Sequence, residues 1–183
     1  MGGDRDHLRQ FPSSVDELHQ LFIQGRHPDP PLDGYYEGLF LRLSVNSRLD
    51  ALVRRGTNLW MPWRGKRFVP ARNWGDNRFD NSVLGIFSKL WPSYQGMTPR
   101  GDGTFEGLAF RTWSAPGILD PEVNVFKIDY RIPATPQTMH RILDELVELP
   151  DGRLLGKAHF LTLRNNRSTI VYFALVPPTP AEV

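Results

Sequence analysis

Lys157 and His159 stand two residues apart in Leu154-Leu155-Gly156-Lys157-Ala158-His159-Phe160-Leu161, a run that is otherwise apolar. Residues two apart on a strand share a face, so a cation and an imidazole would sit together among leucines. Tyr172, in the run from Arg167 to Val176, joins them if the two runs form a hairpin. A desolvated lysine with a lowered pKa could act as a base or imine former, with His159 or Tyr172 exchanging protons. As anchors, the three could instead hold the carboxylate or carbonyl end of an apolar molecule. A third reading is structural: the face lies outside a barrel, Lys157 snorkels along Leu155, and His159 stacks on Tyr172.

The elements that must position these groups follow from the turn. A two-residue Asn165-Asn166 loop suits the type I′ turn, because Asn tolerates positive φ. Counting back from Arg164 opposite Arg167 pairs Leu161 with Ile170, His159 with Tyr172, Ala158 with Phe173 and Lys157 with Ala174. One face then carries Phe160, Val171, Ala158, Phe173, Gly156 and Leu175, large against small, and reads as core. The other carries Leu161, Ile170, His159, Tyr172, Lys157 and Leu155. Neither face resembles a wet surface, as expected of barrel strands.

Earlier segments supply the rest of a barrel. Ser14-Val15-Asp16-Glu17 is a capping-box pattern before Leu18, Leu21 and Phe22, and predicts a helix over 14–24. His27-Pro28-Asp29-Pro30-Pro31 is a rigid connector. Strands are expected from Gly34 to Leu43, from Leu59 to Phe68, from Ser82 to Lys89, from Thr104 to Trp113 and from Asn124 to Ile132. A second helix is expected from Ser47 through Val53, Asp76-Asn77 reads as a turn, and Thr135-Pro136 starts a third helix around Met139, Ile142 and Leu143. On that reading Asp144, Glu145 and Glu148 occupy a helix-to-strand junction and face water. Tyr130, alternating with Lys127, Asp129 and Arg131, points inward and could meet a ligand. Strands without regular intervening helices exclude a doubly wound sheet. The fold class is mostly β: an antiparallel barrel of about eight strands with short peripheral helices, one domain over 1–183, with 1–12 and 177–183 as flexible tails.

Bulk properties narrow the function. The 183 residues carry 22 Lys and Arg against 20 Asp and Glu, a formal charge of +2, which gives little support to a nucleic-acid partner. Cysteine is absent, which excludes disulfides, thiolate catalysis and cysteine metal sites. No apolar run approaches the roughly 18 to 20 residues of a spanning helix, and the start has no signal-peptide core, so a cytoplasmic location is expected.

Gly34-Tyr35-Tyr36-Glu37-Gly38, followed by Leu49-Asp50-Ala51-Leu52 and then by Trp63-Arg64-Gly65-Lys66-Arg67-Phe68, resembles the paired motifs of bacterial GXWXG-domain proteins. Leu149-Pro150-Asp151-Gly152-Arg153-Leu154-Leu155-Gly156 is similar to the late strand pair of that family. Tyr36 stands where the first motif has tryptophan. The resemblance implies a lipocalin-related calycin barrel and brings no established reaction with it. In a barrel, Gly34 and Gly38 relieve crowding on a coiled first strand, and Tyr36 can cap an open end. Gly65, between Arg64 and Lys66, either lets a backbone N–H approach an anionic group or forms a bulge.

Other constellations carry less. Arg54, Arg55, Arg64, Lys66, Arg67, Arg72 and Arg78 interleave with Trp60, Trp63 and Trp74, a mixture that can grip phosphates and stack bases. Two of these tryptophans fall in an expected strand and belong to a core. The five histidines lack metal-site spacing, a lone His159 is thin support for haem, and no nucleophile elbow exists. No cofactor or metal is expected. The sequence points to binding of a small apolar or amphipathic, fatty-acid-like molecule, with Lys157, His159, Tyr172, Tyr130, Tyr36, Trp63 and Lys66 as the ligand-binding set. The alternatives are a cofactor-free isomerase, cyclase or lyase using Lys157, His159 or Tyr130 for proton transfer, and a homodimeric interaction module.

Overall fold

A computed structural model describes residues 11–44, 62–161 and 167–177. Along Trp74–Asp80 burial alternates strictly, with Gly75, Asn77 and Phe79 inside, the period-two signature of a strand with one face on a core. The strands are β1 (Gly34–Leu43), β2 (Trp63–Val69), β3 (Trp74–Asp80), β4 (Thr98–Pro99), β5 (Thr104–Pro116), β6 (Asn124–Asp129), β7 (Ile142–Glu148), β8 (Leu154–Leu161) and β9 (Arg167–Val176). Every pairing is antiparallel, in the order β3-β2-β1-β9-β8-β7-β6-β5, and a β3–β5 pairing closes these eight strands into a barrel. The two-residue β4 adds to β5. Closure leaves no unpaired edge between the first and last strands of the series.

Apolar residues form two cores, one on each side of the barrel wall. The interior holds Trp63, Phe68, Phe79, Phe105, Phe110, Tyr130 and Phe173 with Leu108, Ile128, Leu146, Ala158, Val171 and Leu175. Outside the wall, helix α1 (Val15–Phe22) lays Leu18 and Phe22 over Val147, Leu155, Tyr172 and Ala174. The expected capping box forms: Ser14 Oγ accepts from the Glu17 N–H at 3.2 Å and donates to the Glu17 carboxylate at 2.6 Å, which satisfies a helix-end donor. Phe11, placed in a flexible tail by the sequence reading, is buried in this outer core, and the Arg153 guanidinium lies over its ring at 4.6 Å.

Several expectations are corrected. Ser82 to Lys89 is not a strand but a 3-10 turn, Asn81–Val83, running into helix α2 (Leu84–Leu90). Asp80 opens it by accepting the Ser82 N–H at 2.9 Å, a local cap that outweighs strand propensity. Asp76-Asn77 is no turn but the middle of β3. The helix expected after Thr135-Pro136 is a 3-10 segment, Gln137–Arg141, and Ile142 already begins β7. Inter-strand pairing of 142–148 with β6 and β8 overrides the local helix-start signal. The helix expected from Ser47, and the Asn165-Asn166 turn, lie outside the described residues.

The closing hairpin is offset from the counted register. Lys157 pairs with Tyr172, Gly156 with Phe173 and Leu161 with Arg167, and a bulge between Ala158 and His159 makes Ile170 the extra residue. The offset at Lys157 is two residues, so the face assignment survives; the bulge turns Ile170 into the interior core, away from its expected outer face.

Candidate functional site

The direction of the Lys157 face is resolved. Ala158, Val171, Phe173 and Leu175 face the interior, while Leu155, Tyr172 and Ala174 belong to the outer core under α1. Lys157 and His159 are therefore outside the barrel, yet 0 % exposed; Phe22 of α1 and Asp120 of the 117–123 loop cover Lys157. Lys157 Nζ pairs with Asp120 and lies 3.9 Å from Glu145 Oε2, and its ammonium sits 4.0 Å from the centre of the Phe22 ring. His159 Nε2 contacts Glu145 Oε2 at 3.0 Å, and its Nδ1 lies 3.3 Å from the Thr169 hydroxyl. Lys127 Nζ reaches the other Glu145 oxygen at 3.3 Å, and the Ile118 N–H donates to it at 2.7 Å. Burial opposes ionisation of Glu145, but the His159 hydrogen bond and charge, the Ile118 N–H and the Lys157 ammonium outweigh it and hold the carboxyl below its usual range. Burial, with the charges of Asp120 and Asp16, pushes the Tyr172 phenol up to about 12.

Inside the barrel a second polar cluster forms. Lys66 Nζ donates to Asn77 Oδ1 at 2.9 Å, contacts the Tyr130 hydroxyl at 2.6 Å and pairs with Asp144 Oδ2 at 2.9 Å. Tyr130 donates to the same Asp144 oxygen at 2.9 Å, and Trp63 Nε1 donates to Asn77 at 3.2 Å. The Lys66 ammonium also lies 5.1–5.6 Å from the ring centres of Trp63, Phe110, Tyr130 and Phe173, within cation–π range. Burial lowers the Lys66 pKa despite the Asp144 charge. Burial and Asp144 raise Tyr130 well above the ordinary phenol value, so its hydroxyl is a proton donor.

Two backbone irregularities aim this cluster. Strict alternation from Trp63 would turn Gly65 and Arg67 inward and Lys66 outward. A bulge between Trp63 and Gly65 inserts one residue and reverses the phase, so Trp63, Lys66 and Phe68 all face in. Gly65 has φ +139°, and a Cβ there would lie 2.0 Å from the Tyr36 carbonyl oxygen, so only glycine fits. Of the two readings for Gly65, the bulge is the one the structure adopts. In β5 a second bulge lies opposite Asp76, with Leu108 at φ +49°. The Leu108 carbonyl there accepts the Asn77 amide at 2.9 Å.

A cavity of about 140 Å³ opens beside the interior cluster. Asn77, Tyr130 and Trp63 form its polar side, and Phe79, Phe87, Trp91, Leu108 and Met139 its apolar side. Of the residues singled out in the sequence, Tyr130 and Trp63 line it, and Lys66 stands behind them, bonded to Tyr130 and Asn77. Tyr36 is half-buried with its ring edge-on to Phe68 at 5.8 Å, away from the cavity lining. Lys157, His159 and Tyr172 are separated from all of these by the barrel wall. Of the three residues offered for proton transfer, Lys157 and His159 thus lie on the opposite face of the wall from Tyr130.

The sequence reading missed Asp144, Asn77 and most of the cavity wall. Asp144 and Glu145 were expected in water but are 1 % and 0 % exposed; two adjacent acids set between the apolar pairs Ile142-Leu143 and Leu146-Val147 were the available signal. Of the basic residues weighed for phosphate binding, Arg64, Arg67 and Arg78 pair with Asp80, Asp76 and Asp102. Among the described residues no group of His, Asp and Glu is placed to hold a metal ion, and no helix is long and apolar enough to cross a membrane. No family model matches the sequence, and no curated protein matches it. The likeness to GXWXG-domain proteins rests on its residues alone; the closed barrel supports the broader calycin-like architecture.

Proposed function

We propose that this barrel binds a small, neutral, ring-sized molecule carrying one polar group. The observation that carries the reading is an apolar cavity of about 140 Å³ with Asn77 and Tyr130 at one side. Cavities near 150 Å³ lined by apolar residues hold a benzene-sized guest, whereas drug-sized ligands need about 300–1,000 Å³. A long acyl chain exceeds the cavity, so the fatty-acid class narrows to a single ring or a short branched chain. Neutrality follows from the lining: Lys66 and Asp144 already pair with each other, and a further charge would be desolvated without a counter-ion. A phenol, cyclic ketone or lactone suits the Tyr130 hydroxyl and the Asn77 amide.

Trp63 and Trp91 both line the cavity, so titration with p-cresol and cyclohexanone should give saturable changes in tryptophan fluorescence and a raised Tm. Met139→Trp, which fills the cavity from a short 3-10 segment, should abolish the response while leaving the circular dichroism spectrum intact. Unchanged fluorescence and Tm across such single-ring compounds would overturn the proposal.

A second reading, proton transfer to or from a bound carbonyl compound, is favoured by the 2.6 Å contact between Lys66 and the cavity-lining Tyr130. Tyr130 would turn its hydrogen bond from Asp144 to the carbonyl oxygen and stabilise the enolate left when a hydroxide or water molecule from solvent takes the α-proton. Deuterium incorporation next to the carbonyl of cyclohexanone in D2O, absent in Tyr130→Phe, would support it; no enhancement over buffer would remove it.

A further inference from the structure

Trp91 lines two hollows. It borders the interior cavity and also a groove of about 640 Å³ between the 90–96 and 133–137 segments. Its indole sits just past the end of α2, edge-on to Phe87 at 5.0 Å, and its Nε1 donates to the Thr138 hydroxyl at 2.8 Å. That bond is exposed to water, so its net contribution is small. Tyr94 completes the partition. Its hydroxyl faces the carbonyl of Gly96 at 3.1 Å and accepts the Leu108 N–H at 2.6 Å. Leu108 in turn presents its side chain to the cavity and its carbonyl to Asn77. A leucine with φ +49° is uncommon, and such conformations concentrate at functional sites. The irregular residue of β5 thus links the groove, through Tyr94, to the polar side of the cavity, through Asn77.

Resting on the binding reading above, we infer that cavity and groove are one binding tract for a two-part neutral molecule: a single ring held in the cavity and a flexible arm lying in the groove across the position of the Trp91 indole. The groove has the chemistry for an arm of mixed polarity, with Pro92, Pro133 and Pro136 beside Ser93, Gln95 and Gln137. The ring directs its polar group to Tyr130 and Asn77, and the arm leaves on the Trp91 side. Trp91 is then the residue that sets ligand length. Its indole borders both hollows; swung aside, it would join them.

The test compares p-cresol with 4-hexyloxyphenol, which shares the phenol ring and adds an arm. In the wild-type protein the longer compound should bind about tenfold more tightly or better, the gain expected from a few partly buried methylenes. Ala134→Trp, an exposed substitution in the groove wall, should remove that gain and leave p-cresol affinity within about twofold. Thr138→Val, which releases the Trp91 indole, should speed association of 4-hexyloxyphenol and change p-cresol affinity little. Equal affinity of the two compounds, or an advantage for the longer one that survives Ala134→Trp, would overturn the joined tract while leaving the ring site standing. Failure of p-cresol itself to bind would overturn the ring site and this inference with it.

Discussion

Asp144 and Glu145 are neighbours on β7, yet they serve opposite sides of the barrel wall. Among the described residues Asp144 faces inward to one lysine, Lys66, with Tyr130 as the other hydrogen-bond partner. Glu145 faces outward and is shared among Lys127, Lys157 and His159, while Asp120 takes a second contact from Lys157 and one from His19. The outer cluster is sealed beneath α1 and the 117–123 loop, and it holds the helix to the wall. The inner cluster touches a cavity. Similar residue types therefore do different work according to what lies above them: a covered network anchors an element, and one beside a cavity can meet a ligand. They also differ in redundancy, since a one-to-one pair has no reserve and a shared carboxylate does.

The largest effect should come from erasing the phase change that separates the two faces. Gly65→Ala places a Cβ 2.0 Å from the Tyr36 carbonyl oxygen at a φ that L-residues avoid, so the cost should exceed about 4 kcal/mol and preclude a stable fold. Denaturant melts and expression in the soluble fraction would show this; a variant with near-native stability would mean that the bulge does not set the direction of Lys66.

Next in size is the contrast in redundancy. Lys66→Met strands the Asp144 carboxylate and should cost about 3–5 kcal/mol, whereas adding Asp144→Leu should recover most of that loss. Lys157→Met leaves Glu145 with Lys127 and His159 and Asp120 with His19, and should cost only about 1.5–3 kcal/mol, the range of one hydrogen bond to a charged group. p-Cresol binding should fall in the two interior variants and persist in Lys157→Met. Equal stability losses for the two lysines, read from urea unfolding, would erase the distinction.

The smallest effect is in pH dependence. The folded pKa of Glu145 lies below its ordinary 4.5, so on acidification the unfolded chain takes up the proton first. The stabilisation is complete above the ordinary value and is lost as pH falls through the lower folded value. Lys66 gives a slope of the same sign at the other end of the scale, although there it is the charged form that the fold disfavours. Its folded pKa lies below its ordinary 10.5, so its contribution to stability grows as pH rises from that lowered value towards 10.5. Glu145→Gln should flatten the acid limb of a stability–pH curve and Lys66→Met the alkaline one; the reverse assignment would break the comparison.

Much of this was legible in the chain. The Ser14 capping box, the strand from Gly34 to Leu43, the barrel class and the two faces of the closing strands all follow from short-range periodicity and end signals. Asp144 was not legible, because Thr135-Pro136 is a sound helix start that tertiary pairing cancels. Asn77 was hidden behind an Asp-Asn pair that usually marks a turn. Lys66 and Tyr130 were picked out separately, from segments 64 residues apart, without any sign that they touch.

The sequence by itself determined that Lys157, His159 and Tyr172 share one face and that Ala158, Phe173 and Gly156 share the other, since side-chain alternation is a local property of the strand. Only the tertiary structure decided that the first face looks outward beneath α1 and that Lys66 looks inward. Those directions depend on the closure of β3 on β5 and on bulges at Gly65 and Leu108, where a single inserted residue reverses the alternation that the sequence displays.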